Sequence, residues 1–342
     1  YKYMIKPEDI LNSYNFARNS DVVYSEIVTR DQFNLLDLQN FKIINKTENL
    51  IFYKLTEFKL KENDVIFCNS DMLKNLFSDL KNVMNLKNLK LITNQTDTLI
   101  TKKLFNLKPS CIKDWYSINV GYKSDNLIPI PLGLSNNYSP KNILVEDINF
   151  SGLTSNSKDF LYLNFSKNTN FKERTGIYEK FQEEEWSIVE NPNLSLDKYH
   201  DSLKNYRFVL CPWGNGIDTH RIWETLYSGN IPVTKQHHTF STSQELPIIF
   251  VDSYEEITEK KLLEFYYSLE KDEINFSKLN IHYWLNQIKS KRVDSSEEFL
   301  IIENEIQNNY YILEHKIKSK LFSLIKKGKY QLKRIKKLFT FN

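Results

Sequence analysis

The chain has 342 residues, of which 41% are hydrophobic and 14% aromatic, so it can build folded cores and is not intrinsically disordered. Its length fits two domains better than one. No apolar run approaches the roughly 18–20 residues of a membrane span, and the first residues do not resemble a signal peptide.

The net charge of +3 is unevenly distributed along the chain. Ten Lys and Arg residues and no acidic residue lie from His315 to Asn342, which leaves 36 basic against 43 acidic residues in the remainder. A mildly acidic body with a basic end argues against nucleic acid as a partner. The three scattered cysteines, Cys68, Cys111 and Cys211, match neither a zinc motif nor a disulfide framework and favour a reducing, cytoplasmic location.

In the first half, apolar runs alternate with stretches of helical periodicity. The predicted strands are Asp21–Ile27, Leu50–Leu55, Asp64–Cys68, Leu89–Thr93 and Leu127–Pro131, and the predicted helices include Asp71–Val83 and Thr96–Phe105. The polar stretch Ser135–Ser157 lacks periodicity and is typical of a linker. We therefore expect residues 1–145 to form one Rossmann-like domain.

The second half alternates more regularly between strands and helices. The predicted strands are Phe160–Phe165, Trp186–Glu190, Arg207–Cys211, Ile231–Thr234 and Pro247–Asp252. The predicted helices are Lys172–Glu185, Leu196–Leu203, Thr219–Tyr227 and Tyr254–Leu269. This order predicts parallel βαβ units, so the expected fold class is α/β, with a second Rossmann-like domain over residues 155–293. A ligand would bind in a cleft at the carboxyl ends of the strands.

Residues 294–342 predict a long, increasingly basic helical segment. Its apolar residues recur near helical spacing, at Ile317, Leu321, Leu324, Ile325, Leu332, Ile335, Leu338 and Phe339. For residues 294–315 we favour packing on the body of the protein. For Lys316–Asn342 two interpretations stay open, which are the same packing or an amphipathic helix on an anionic membrane surface. The second would make the protein peripheral at the inner face of a membrane.

The segment most informative about chemistry runs from Phe208 to Val233. It predicts a strand, a loop containing Gly214-Asn215-Gly216, a helix and a second strand. Glycines let the backbone turn freely and approach a ligand. Asp218 or Thr219 is expected to cap the helix at its N-terminus.

Such a helix start predicts an anion site, because its unpaired N–H groups carry partial positive charge. Arg221 would add donors suited to a diphosphate, and Glu224 on the same face could accept hydrogen bonds from sugar hydroxyls. The alternative for this pair is an ordinary ion pair on a surface helix. His220 is a candidate catalytic or phosphate-contacting residue, or else a bystander. Arg174, at a strand-to-helix junction, could also reach a diphosphate.

The segment resembles the donor domain of exostosin-like glycosyltransferases. The matching residues are Pro212-Trp213-Gly214, Asp218-Thr219-His220-Arg221-Ile222-Trp223-Glu224-Thr225-Leu226 and Gly229-Asn230-Ile231-Pro232-Val233. Weaker landmarks are Asn164, Arg174, Asn94-Gln95-Thr96-Asp97 and Ile128–Leu134, so the resemblance covers about residues 64–252. It implies a GT-B fold and transfer of a sugar from a nucleotide-sugar donor to a glycan or polysaccharide acceptor, with inversion.

Inverting transfer needs a general base on the acceptor side. Asp97 and Asp71 both follow predicted strands of the first domain, and we favour Asp97, although either residue could instead cap its helix. The chain contains no D-x-D motif, which metal-dependent glycosyltransferases use to hold a divalent cation on the diphosphate. We therefore predict no metal site and no cofactor.

Two other functions stay open at this stage. One is a non-catalytic module that binds a nucleotide or sugar, and the other is transfer of a different activated group, such as phosphoribosyl or alditol phosphate. A nicotinamide-dependent oxidoreductase is disfavoured, because no G-x-G-x-x-G follows a strand.

Overall fold

The structure is a computed structural model that describes residues 5–83, 85–136, 142–269, 274–290 and 297–339, with side chains in the last helix described as far as Ile325. The strands are β1 Val22–Thr29, β2 Phe41–Lys46, β3 Leu50–Leu55, β4 Glu57–Leu60, β5 Val65–Asn69, β6 Leu89–Asn94, β7 Ile112–Ser117, β8 Leu127–Pro129, β9 Lys158–Leu163, β10 Ser187–Val189, β11 Tyr206–Leu210, β12 Ile231–Lys235, β13 Ile249–Val251 and β14 Phe299–Ile302. The helices are α1 Ser13–Arg18, α2 Arg30–Asn34, α3 Leu73–Leu80, α4 Lys102–Phe105, α5 Phe171–Arg174, α6 Ile177–Phe181, α7 Leu196–Asn205, α8 His220–Tyr227, α9 Glu259–Ser268, α10 Ile281–Ile288 and α11 Glu305–Phe339.

The first half of the chain builds a sheet with the strand order β2-β3-β1-β5-β6-β7-β8. Strands β1 and β5 to β8 are parallel, and the hairpin of β2 and β3 extends the edge in antiparallel fashion. Every residue of β5 and β6 is buried, as is typical of parallel strands covered on both faces.

The second half builds a sheet of five parallel strands in the order β10-β9-β11-β12-β13. The chain leaves β9 toward β10 and then crosses to β11 on the other side. The topological switch point of this sheet therefore lies between β9 and β11, where ligands of doubly wound folds bind. The predicted α/β class with parallel sheets is confirmed and is compatible with Rossmann-like folds.

One apolar core lies between the two sheets and takes side chains from both halves. Phe16 and Phe67 of the first half belong to the same buried cluster as Tyr162, Trp223 and Tyr227 of the second. Each sheet has a further cluster on its other face. The two halves are therefore joined by hydrophobic packing as well as by the chain.

After the second sheet the chain returns to the first half. Helix α10 buries Ile281 and Trp284 in the shared core. Strand β14 pairs antiparallel with β4, and Asn308 of α11 donates its amide to Asp79 of α3. None of the described helices, α11 included, is long and apolar enough to cross a bilayer.

Four predicted helical segments differ from the structure. The prediction over Tyr254–Leu269 covers a 3-10 turn at Tyr254–Glu256 and then the separate helix α9. The prediction over Thr96–Phe105 was wrong for its first part, because the helix begins only after Thr101, whose side chain caps it. The prediction over Lys172–Glu185 is divided at Gly176, which has a left-handed φ of 84°. The segment from residue 294 is not all helical, because residues 299–302 form β14 and bury Ile301 against the first half.

Candidate functional site

A cavity of about 990 Å³ lies between the two halves, at the carboxyl ends of the strands. The second half lines it with the loops after β9, β10 and β11 and with the start of α8. The first half lines it with the segments that follow β6, β7 and β8. The cavity therefore lies at the switch point of the second sheet, where the sequence predicts a ligand cleft.

The glycine loop, residues 211–219 after β11, forms one wall of this cleft. The Gly214 N–H donates to the Gly216 carbonyl at 2.9 Å, which closes a tight turn around the exposed Asn215. A Cβ on Gly216 would lie 2.8 Å from Asn119 Nδ2 and 3.0 Å from Asp97 Oδ1. A side chain at position 216 would therefore have to displace Asn119 or Asp97, which pack directly against this glycine.

The first turn of α8 is open toward the cleft. Thr219 occupies the N-cap position without a capping side-chain hydrogen bond, and the Asp218 carboxylate accepts from Leu132 N–H and Trp223 Nε1 rather than from a backbone N–H of the first turn. The backbone N–H groups of His220 and Arg221 donate to no other described residue. The expected side-chain cap is therefore absent from the described residues, and donors of the kind that bind anions face the cavity.

Arg221 places its guanidinium in the same part of the cleft, and no acidic side chain of the described residues forms an ion pair with it. Its Nε is buried and has no hydrogen-bond partner among the described residues, and its guanidinium lies 5.9 Å from the centre of the Tyr199 ring. Burial alone would lower the pKa of Arg221, but its neighbours, Tyr199, Cys211 and Glu224 among them, raise it overall. The residue therefore stays charged and has donors left for a ligand.

Glu224 lies one turn further along α8 and lines the cleft. It is 3% exposed, and its Oε2 accepts a hydrogen bond from the Tyr199 hydroxyl at 2.8 Å. No ion pair joins Glu224 to Arg221 among the described residues, so the interpretation as a surface ion pair is wrong. Tyr199, on α7, was not predicted from the sequence, since nothing local marks a side chain that contacts α8 from another helix.

Arg174 lines the cleft but is committed to the protein backbone. Its Nε donates to the Trp213 carbonyl at 2.9 Å, Nη1 to Ser166 at 2.8 Å and Nη2 to Pro212 at 3.0 Å. Burial, and then the charge of Arg221, lower its pKa to about 10. Three of its five donors therefore hold the loops after β9 and β11 together, which leaves two for the predicted diphosphate contact.

Asp218 is also occupied by protein groups. Its Oδ2 accepts from the Leu132 N–H and its Oδ1 from Trp223 Nε1, both at 2.9 Å. Burial raises its pKa to about 7. The predicted donor-binding carboxylate thus holds the glycine loop against the first half of the chain.

His220 is oriented by the first half. Its Nδ1 lies 2.8 Å from the Gly133 carbonyl, which can only accept, so Nδ1 carries the proton in this contact. In the neutral ring Nε2 then holds the lone pair. Because His220 lines the cleft, this nitrogen is suited to accept a proton.

The two candidate bases of the first half are placed differently. Asp97 lines the cleft beside Gly216, is exposed and forms no hydrogen bond or ion pair with another described residue. Asp71 is not among the described lining residues, and its carboxylate lies 3.9 Å from His315 of α11. Neither residue caps an α-helix, since Met72 precedes α3 and Thr101 caps α4.

Two amides of the first half complete the cleft. Sequence reasoning named Asn94 only as a landmark of the family resemblance and did not identify Asn119. Asn119 accepts from the N–H groups of Ile217 and Asp218 at 2.8 and 2.9 Å. Asn94, at the end of β6, is fully buried, and its Nδ2 has no partner among the described residues. Within the described ranges, no group of three His, Cys, Asp or Glu side chains could hold a metal ion.

The comparisons with known proteins agree with this geometry. Residues 148–305, just under half of the chain, match the family model of the RXYLT1 C-terminal domain. No curated protein matches the chain. The matched region contains the second sheet, the glycine loop and α8, and the match supports placing the chain among glycosyltransferases.

Proposed function

We propose that the protein transfers a sugar from a nucleotide-sugar donor to a hydroxyl of a glycan or polysaccharide acceptor, with inversion and without an essential metal. The observation that carries this proposal is the buried, unpaired Arg221 beside the open first turn of α8, at the switch point of a parallel sheet. A GT-B arrangement, with donor and acceptor held on opposite walls of the cleft, fits the two sheets that face it.

The donor would lie on the second half. Its diphosphate would accept hydrogen bonds from Arg221 and from the backbone N–H groups of His220 and Arg221. Oε1 of Glu224 accepts no hydrogen bond from another described residue and would take a sugar hydroxyl. Asn215 and Gly214, held by Arg174 and the tight turn, would border the transferred sugar.

Metal independence is proposed from the charge already present. In the transition state the bond between the anomeric carbon and the phosphate oxygen breaks, and its electron pair leaves with the diphosphate. A fixed guanidinium and helix N–H groups can stabilise this developing charge, which is the part a divalent cation plays elsewhere. The sequence has no D-x-D motif to hold such a cation.

Asp97 is proposed as the general base. As the acceptor oxygen bonds to the anomeric carbon, its hydroxyl proton would pass to the free carboxylate of Asp97 beside the glycine loop. His220, whose Nδ1 is engaged by Gly133, offers Nε2 as the other acceptor in the cleft. Asp71 is not retained, because it lies outside the described lining.

We also propose that α11 rests on an anionic membrane surface. Its buried side contacts the body through Asn308 and Ile312. The opposite side exposes an apolar stripe, which we define as Ile306, Tyr310, Leu313, Ile317, Leu321 and Leu324. Lys316, Lys318 and Lys320 accompany this stripe, and seven more basic residues follow. The side chains beyond Ile325, and residues 340–342, lie outside the described part. A cytoplasmic protein at the inner membrane face fits this arrangement.

The test of the proposed function is the substitution Arg221→Ala, with Arg30→Ala as the matched control on the exposed surface. Loss of the diphosphate contact is expected to reduce kcat/KM about 100-fold or more and to weaken binding of the nucleoside diphosphate product. Near-normal transfer by the variant would contradict the assignment. Mass spectrometry of products from a nucleotide-sugar panel separates sugar transfer from transfer of alditol phosphate, and binding without any product would indicate a non-catalytic module.

A further inference from the structure

Helix α11 runs toward the edge of the first sheet that borders the cleft. Asn308 of α11 donates its amide to Asp79, in the last turn of α3. About two turns later, Nδ1 of His315 lies 3.9 Å from Oδ2 of Asp71, just before α3 begins. The two helices are therefore antiparallel. Because α3 follows the carboxyl end of β5, α11 runs toward the carboxyl ends of the strands, where the segments after β6, β7 and β8 line the cleft.

Beyond His315 the helix leaves the body of the protein. Ile312 is the last of its described residues that is buried, and every described side chain from Lys316 to Ile325 is exposed. At a rise of about 1.5 Å per residue, the helical part beyond His315, which ends at Phe339, is about 36 Å long. It therefore continues past the carboxyl ends of the strands as an exposed helix.

The place where α11 leaves the body is near the proposed acceptor side of the cleft. Asp71 lies beside His315 and also interacts with Asp97, the proposed base. Burial raises the pKa of Asp71, the neighbouring His315 lowers it, and the charge of Asp97 raises it again. Asp97 itself lines the cleft. The contact between His315 and Asp71 thus joins the end of the packed part of α11 to a neighbour of the proposed base.

The composition of the exposed part of α11 favours a lipid surface as its partner. Ile317, Leu321 and Leu324 continue the apolar stripe, and an amphipathic helix is stabilised mainly by covering such a face. Ten Lys and Arg residues and no acidic residue lie from His315 to Asn342. An anionic membrane would cover the apolar side chains and attract the lysines, whereas a second copy of the helix would bring like charges together.

We propose that the acceptor is a glycan carried on a membrane lipid, and that α11 keeps the acceptor side of the cleft near the surface in which this lipid is anchored. This inference rests on the proposed function and deepens it by naming the kind of molecule that carries the acceptor hydroxyl. The reaction itself is unchanged. The hydroxyl oxygen bonds to the anomeric carbon, its proton passes to Asp97, and the nucleoside diphosphate leaves. Binding to one surface raises the effective concentration of the acceptor at the cleft about 100-fold or more.

The experiment offers the same sugar to the full-length chain in two forms, with a donor found by the panel. One form is the methyl glycoside in solution. The other is the glycoside joined through an oligoethylene glycol spacer to a hexadecyl chain, in vesicles of phosphatidylglycerol and phosphatidylcholine. At equal bulk concentration, we expect transfer to the vesicle-borne form to be about 100-fold faster. Equal rates, or faster transfer to the methyl glycoside, would overturn the inference.

Two controls separate a preference for the anchored acceptor from activation by lipid. The methyl glycoside is also measured with the same vesicles without the hexadecyl glycoside, and this addition should not close the gap between the two forms. Adding more phospholipid at a constant amount of glycolipid dilutes the acceptor within the surface, so it should slow transfer to the vesicle-borne form. A rate that depends only on the bulk concentration would count against transfer at the surface.

Two triple variants test whether α11 causes the difference. Replacing Lys316, Lys318 and Lys320 with Gln should reduce the ratio of the two rates about tenfold or more, because attraction to the anionic surface is lost. The matched control removes the same charge from exposed lysines on strands and a helix away from α11, which are Lys113, Lys158 and Lys260. The control should keep the ratio of the parent chain. An equal ratio in the two variants would contradict a part for α11 in presenting the acceptor.

Cosedimentation with vesicles and calorimetric titration with the nucleotide sugar distinguish the levels of failure. A chain that binds vesicles and the donor, but transfers equally well to both forms of the acceptor, refutes only the inference on the acceptor. A chain that transfers sugar but does not bind vesicles refutes the membrane surface and the inference. A chain that binds no nucleotide sugar refutes the proposed function and the inference with it.

Discussion

Arg174 and Arg221 both line the cleft, but their guanidinium groups make different contacts. Arg174 donates to three carbonyls of the loops that it joins. Arg221, under repulsion from the first guanidinium, keeps a buried Nε unpaired. From the sequence, contact with a diphosphate is predicted for both residues, because each lies where a helix follows a strand. Only the path of the neighbouring carbonyls, which is set by tertiary structure, separates the guanidinium that holds two loops from the one that keeps an unpaired donor.

Arg174→Lys should therefore lower stability. A lysine keeps the charge but cannot reproduce the planar set of guanidinium donors, the fork, that contacts three carbonyls. At least two buried carbonyls would therefore lose their donor, at a cost of about 1–3 kcal/mol each. We expect the free energy of unfolding, measured with urea, to fall by at least about 2 kcal/mol. Arg30→Lys is the control, because Arg30 donates only to the exposed Thr47 carbonyl. Equal stability in the two variants would show that the Arg174 fork is not required.

At the scale of elements, the glycine loop is fixed mainly from across the cleft. Asn119, which follows β7, adopts a left-handed φ of 54° and accepts from two consecutive N–H groups of the loop. Asp218 and His220 add bonds to the backbone of Leu132 and Gly133. The open first turn of α8 is thus held in place by the opposite half rather than by its own cap.

The two hydrogen bonds that Asn119 accepts from the glycine loop are here called the clamp, and the substitution Asn119→Gly tests them. Glycine tolerates the left-handed conformation, so the change removes the amide without adding backbone strain. Two N–H groups would lose their acceptor, and we expect a loss of about 1–3 kcal/mol in the free energy of unfolding together with weaker donor binding.

The matched control for the clamp is Asn40→Gly, at an exposed residue with a φ of 52°. It removes an amide at the same backbone conformation but far from the cleft. Donor affinity measured by calorimetry should change only in Asn119→Gly. If both variants bind the donor like the parent, the clamp does not position the loop.

Local signals predicted some elements well and could not predict others. Strand β3 and helix α8 agree with prediction almost to the residue, because hydrophobic periodicity and flanking glycines are read from adjacent positions. Strand β14 was missed since its stability comes from pairing with β4, which lies far away in sequence. For the same reason the sequence could place Arg221 and Glu224 at a site but could not identify Tyr199 or Asn119 as their neighbours.

At the scale of the whole molecule, α11 turns one side to the body and the other to solvent. The contact through Asn308 and Asp79 fixes its beginning, and Lys74 pairs with Glu314 about two turns later. The exposed apolar stripe runs along the opposite side. This geometry suits an anionic membrane surface, which would attract the lysines and into which the apolar side chains could insert to a shallow depth.

Removing residues 316–342 should therefore weaken binding to vesicles that contain anionic lipid, while transfer to soluble acceptors persists. Replacing Lys316, Lys318 and Lys320 with Gln is the milder variant. Each lysine contributes about 1 kcal/mol, so the triple change should reduce vesicle affinity about 100-fold at low salt. Cosedimentation at two salt concentrations measures this, and the difference should shrink at high salt.

One result of removing residues 316–342 would contradict the proposal that α11 binds a membrane surface. If vesicle binding is unchanged while sedimentation shows loss of a dimer, the apolar stripe joins two copies of the chain instead. Neutral lipid vesicles serve as the control, since they should bind the intact protein far less.

The cluster that contains Phe67 and Trp223 has a consequence for how the protein can be divided. We expect neither sheet to fold alone, because each would expose large aromatic and aliphatic side chains if the other were deleted. We expect a fragment limited to residues 148–305 to be insoluble or molten, although it includes the glycine loop. Heat or urea should accordingly melt both sheets in a single cooperative step.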